Sequence, residues 1–261
     1  MSPRPPVFRS VARRNPPIAE GQSVRSRVYE GVTIALSILV AFGIDAAWGE
    51  WNETREEQRI LTSLLDELIQ NERYLETAVA LQSDIRAAIV ELLSQAALPQ
   101  ATISADSTDR LIATASTWNA GAIFELAAVD AVIQGGRLSI LSNEDLRQRL
   151  TAWSREVAHV SRVESQDHET VSSDWMPLLQ ELSYLPQINN AWQNPPGTMT
   201  DYATRLPTRT PTDHRRLLND QRLENALVRR LWAQDDILFR YEEIRPRIGS
   251  MIELLGQETG R

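Results

Sequence analysis

The chain has no cysteine and no lysine, and only three histidines among 261 residues. Without cysteine there is no thiolate nucleophile, no disulfide and no thiolate metal site, and the redox state of the compartment leaves no mark on the chain. His159, His168 and His214 are scattered; His168-Glu169 opens like a zinc-protease motif, but Ser172 stands where the second histidine would be required. Gly135-Gly136 runs into Arg137-Leu138 without a phosphate-loop continuation, and no serine sits in a nucleophile elbow. Paired acids such as Glu56-Glu57 and Asp235-Asp236 fall where solvated helix faces carry them. The expectation is a non-enzyme with no cofactor and no metal.

Long apolar runs are scarce too, and the single exception decides where the protein resides. From Gly31 to Ile44 the segment GVTIALSILVAFGI carries no charge. That is about 14 residues, a length shared by core helices and signal-peptide cores. Extended through Asp45 to Trp48 it reaches about 18 residues, roughly 27 Å of helix at ~1.5 Å per residue, close to a ~30 Å hydrocarbon core. A signal peptide would have a short basic head and a small-residue cleavage site, whereas here about 30 residues precede the run and bulky Trp48 and Trp51 follow it. A soluble core helix would turn polar every third or fourth residue, yet only Thr33 and Ser37 interrupt Val32 to Ile44, and both hydroxyls can bond back to their own helix. A transmembrane helix over residues 31–51 is therefore expected, with Trp48 and Trp51 as its interfacial anchors.

Charge is distributed unevenly. The first 31 residues hold six arginines against two glutamates, so they carry +4 of a total of -8 and leave -12 to the rest. An acidic body repels phosphate backbones, and no nucleic-acid-binding signature appears, so nucleic acid is not an expected partner. The basic head, residues 1–30, contains Pro3, Pro5, Pro6, Pro16 and Pro17 and reads as a flexible tail. Arg25 and Arg27 flank the span, and the positive-inside rule makes the head cytoplasmic and the body, residues 52–261, extracytoplasmic: periplasmic in a bacterium with two membranes, the span lying in the inner one.

The body reads as all-α. Leu61, Leu64, Leu68, Leu75, Ala78, Ile85, Ile89 and Leu92 recur at gaps of three and four, interrupted by Asn71 and Gln82. Because Leu65, Ile69, Val79 and Leu93 widen the stripe, an intramolecular helical bundle is expected, with a two-stranded coiled coil as the alternative. Further helices are predicted from Asp106 or Ser107 to about Trp118, from Ala122 to Gln134, from a Ser142 cap with Asp145 behind it onward to Pro186 with a kink or split at Pro177, and from about Thr212 to Leu255. Residues 186–211 lack periodicity and read as one long loop, with Trp192 and Tyr202 as candidate binding residues.

Two stretches, Ser37 to Asn71 and Gly135 to Leu150, resemble a family of uncharacterised bacterial single-pass membrane proteins. The resemblance rests on the span leading into Trp51-Asn52-Glu53, and on Gly136, Leu138, Asn143, Leu146 and Arg147 opening a later helix. The chain departs from the pattern in its proline-arginine head and at Gly49-Glu50. What the resemblance implies is a membrane anchor and a helical outer domain, with no activity attached.

The functional expectation is a membrane-anchored helical interaction or scaffold protein whose partners are the lipid bilayer and a protein or second copy of itself. The alternative is an extracytoplasmic ligand-binding or sensory domain. Ser37, Ala41, Asp45 and Gly49 recur every four residues, a stripe on which another helix could approach.

Overall fold

The computed structural model describes residues 24–118, 121–191, 206–207 and 210–260. Its helices are α1 (Val24–Ala96), α2 (Ala105–Ala115), α3 (Ala127–Gln134), α4 (Glu144–Thr170), α5 (Met176–Leu182), α6 (Leu185–Ala191), α7 (His214–Leu218) and α8 (Gln221–Thr259). A 3-10 turn spans Arg137–Ile140 and a π-helical turn spans Val171–Trp175. No strand occurs among the described residues, so the expected all-α class holds. The chain divides into two units, Met1–Thr54 and Arg55–Arg261.

In the first unit, α1 is long and apolar enough to cross a membrane, and none of that apolar window is buried. Val32, Ile34, Leu36, Leu39, Phe42 and Ile44 all stand exposed. Thr33 Oγ1 donates to the Tyr29 carbonyl at 2.8 Å and Ser37 Oγ to the Thr33 carbonyl at 2.9 Å, so the two hydroxyls inside the run are satisfied within their own helix.

In the second unit the gap-of-three-and-four stripe of α1 is buried against the chain's own helices. One core gathers Leu61, Leu64, Leu68 and Leu75 with Trp153 and Val157 of α4 and Tyr241 and Ile248 of α8. Trp153 is wholly buried and meets Phe124 edge-on, with centroids 5.7 Å apart. A second core gathers Ile85, Ile89 and Leu92 with Ile112, Trp175, Leu179, Leu217 and Leu227. Each fully buried Leu or Ile contributes about 1.5–3 kcal/mol over an exposed one, and that return falls to α1 only when its stripe meets other helices.

Several expected boundaries shift, each for a local reason. The cap of α2 is Ser104, whose hydroxyl accepts from Ser107 N, not Asp106 or Ser107. The cap of α4 is Asn143, accepting from Leu146 N at 3.0 Å, while Ser142 binds the Glu57 carboxylate. The expected helix from Ala122 contracts to Ala127–Gln134, because side chains of other helices take the backbone groups of the preceding residues. Asp220 caps α8 and separates it from the short α7, where a single helix from Thr212 was expected. At Pro177, where a kink or split was expected, the chain stays helical: the π-helical turn Val171–Trp175 leads into α5, and Pro177 lies in the first turn of α5, where its missing N–H is tolerated. Pro246 lies on the exposed side of α8, which continues through it. Within the expected loop 186–211 the structure places most of α6.

Candidate functional site

The residues singled out on the span lie together along α1. Ser37, Ala41, Asp45, Gly49, Trp48 and Trp51 are all exposed, and the two indoles pack on each other with centroids 5.2 Å apart. Trp192 and Tyr202 fall outside the described residues. His159 borders a shallow groove of about 240 Å³ between α4 and α8, lined also by Arg155, Glu156, Arg240, Glu243 and Arg247. Arg247 pairs with Glu156 across it.

Between the two apolar cores runs a polar layer. Arg230 on α8 has no exposed surface; its Nη1 donates to Asp167 of α4 at 2.5 Å, and its Nη2 donates to the carbonyls of Ala115 and Thr117, each at 2.9 Å. Gln234 Nε2 reaches the other Asp167 oxygen at 3.2 Å. One turn earlier on α4, Glu164 accepts from the Tyr241 hydroxyl and from the Ala122 N–H. Burial pushes the Glu164 carboxyl above its ordinary 4.5, outweighing the hydrogen bonds that pull it down. Burial, then the nearby Glu164 charge, raises the Tyr241 phenol well above 10.0. Gly121 lets the Glu164 carboxylate approach closely, since a Cβ there would come 2.8 Å from it and the carboxylate would have to shift.

α3 hangs from α1 by the same device. Glu67, buried, accepts from Ala128 N at 2.5 Å and Val129 N at 3.2 Å, capping α3 from another helix. Burial raises its carboxyl more than these two bonds lower it. Asp109 of α2 similarly joins α6 and α7, accepting from Gln187 Nε2 at 2.5 Å and lying 2.7 Å from His214 Nε2.

This framework walls off a pocket of about 420 Å³ lined by residues from the end of α2 and from α5 and α6, among them Ser116, Thr117, Trp118, Met176, Leu179 and Leu185. The Ser116 hydroxyl accepts from the buried Trp175 Nε1 at 2.8 Å and donates to the Ile112 carbonyl at 2.6 Å. Trp118 meets His168 at a tilt of 47°, centroids 4.6 Å apart, and remains 55% exposed. No family model, curated protein or solved structure matches the chain. The chemistry of the pocket therefore follows from its own lining, which is largely apolar with neutral hydroxyl and amide groups and no charged side chain among the described residues.

The sequence offered little warning of this site, because its residues come from separate short elements that only the bundle brings together. Asn71 and Gln82 were visible as polar breaks in an apolar stripe, and Arg230 and Gln234 sit in the same way between Leu227 and Ile237 on α8. A polar residue at a core position of a periodic stripe is the signal that marks such a layer.

Proposed function

We propose that the protein is a single-pass membrane-anchored helical module whose outer domain works by binding rather than by catalysis. The observation that carries the anchor is the wholly unburied apolar window of α1, in a helix whose later turns are buried in the second unit. Exposing that run to water has a large hydrophobic cost, which a bilayer removes. Arg25 and Arg27 favour a cytoplasmic head and an extracytoplasmic body. Washing membranes with carbonate tests the anchor: the full chain stays in the pellet, and its release into the soluble fraction overturns the reading. Protease added to spheroplasts tests the orientation, with digestion of the body expected and protection of the body fatal to it.

Partner binding is supported by Trp232 and Phe239, large apolar side chains seven residues apart on the outer face of α8, 67% and 52% exposed. A photo-crosslinking residue placed at Trp232 should give a discrete adduct with another protein in native membranes, and uncrosslinked monomer alone would count against it. A second reading, a ligand-binding outer domain, is favoured by the Trp118 pocket.

A further inference from the structure

We infer that the pocket walled by Trp118, Met176, Leu179 and Leu185 is a binding site for an uncharged, mainly apolar small molecule. The inference rests on the ligand-binding reading above and is independent of the membrane anchor.

Size sets the first limit. An engineered apolar cavity of about 150 Å³ holds benzene, and drug-sized ligands occupy about 300–1,000 Å³. At about 420 Å³ this pocket suits a molecule of two or three fused or linked rings, or a medium-length aliphatic chain. Charge sets the second. No Asp, Glu, Arg or His is among its described lining residues, so a charged group placed inside would find no charged partner among them. Ser116 already both donates and accepts within the protein, so its hydroxyl is engaged, and the pocket suits a ligand with few hydrogen-bonding groups.

Construction supplies the third argument. The wall that carries Ser116, Thr117 and Trp118 is held from behind by Arg230, through the carbonyls of Ala115 and Thr117, and Arg230 is itself held by Asp167. A buried ion pair is a costly way to stabilise a fold, and here it holds the backbone of a pocket wall rigid. The opposite wall, Met176 and Leu179, follows directly on the π-helical turn, a feature that accumulates at functional sites. Trp118 meets His168 at a tilt and remains 55% exposed, which leaves indole surface available for contact, while Met176 can adapt its shape to what enters.

The test uses the full chain in lipid nanodiscs and a neutral probe, a phenyl-diazirine alkyl alcohol, photolysed with and without excess of its unlabelled parent alcohol. Modified peptides are mapped by mass spectrometry. Labelling of 113–118 and 176–188 that the parent alcohol suppresses supports the site, whereas labelling of 31–51 reports lipid partitioning and is not suppressed. Met176→Trp and Leu185→Trp place an indole in the pocket from two different helices without touching a fully buried position. Each should cut the suppressible labelling by about ten-fold or more, the loss expected when about 1.4 kcal/mol of binding is removed. Unchanged helical dichroism and melting show that the variant is folded, and the second variant serves if the first is not. Suppressible labelling confined to another part of the outer domain overturns this pocket and leaves the ligand-binding reading standing. Labelling that no competitor suppresses overturns both.

Discussion

The Asn71 side chain grips the backbone of Glu125 from both sides, its Nδ2 donating to the Glu125 carbonyl and its Oδ1 accepting from the Glu125 N–H, each at 2.7 Å. One amide thus supplies what a neighbouring strand would, and it keeps this stretch out of helix ahead of α3. Asn71→Leu fits the apolar stripe of α1 better by pattern, yet it strands both backbone groups. It should destabilise the second unit by about 1–3 kcal/mol, seen as a lower urea midpoint with an unchanged slope. Asn71→Asp keeps the acceptor alone and should fall between the two.

Removing Arg230 should be far more damaging than removing its charge together with that of its partner. Arg230→Met leaves Asp167 buried without its guanidinium and two carbonyls without a donor, at a cost of about 3–5 kcal/mol. Adding Asp167→Leu should recover part of that loss. A double variant no more stable than Arg230→Met in chemical denaturation would show that the unpaired Asp167 carboxylate is not what makes the single variant costly.

Glu164 makes stability depend on pH in the direction opposite to the usual salt-bridged acid. Its carboxyl is pushed above 4.5 in the folded protein, so the native state holds that proton more tightly than the unfolded chain. Its contribution is present below the unfolded value and is lost as pH rises through the folded one. Melting followed across that window should decline less steeply in Glu164→Gln than in the parent. Glu67, raised by burial in the same way, keeps a residual slope in that variant.

If the apolar run of α1 spans a bilayer, Asp45, three residues before Trp48 and about 4.5 Å from it along the helix axis, falls near a headgroup boundary and not at mid-bilayer, where a charge costs on the order of 3 kcal/mol. Asp45→Leu lengthens the apolar run and should keep the chain in the carbonate-washed pellet. If the face of Ser37, Ala41 and Gly49 meets another span and Asp45 bonds it, crosslinking through position 41 should drop in this variant. Crosslinking equal to the parent's removes Asp45 from any such contact.

The all-α class, the apolar run of α1 and the intramolecular stripe of the second unit were legible in the residues alone, because helix periodicity and apolar run length are local properties of a chain. Leu61, Leu64, Leu68 and Leu75 took the side their spacing assigned to them. Helix ends were less legible, since Ser104, Asn143 and Asp220 compete with neighbouring capping residues of nearly equal quality. The polar layer and the Trp118 pocket were decided by tertiary structure. Whether Ala122 extends a helix depends on the Glu164 carboxylate and Tyr241 hydroxyl arriving from helices 42 and 119 residues away, and no local preference contains that information. Arg230 could sit in the core only because Asp167, Ala115 and Thr117 converge on it, and the pocket is the space left where that convergence holds one wall away from α5 and α6.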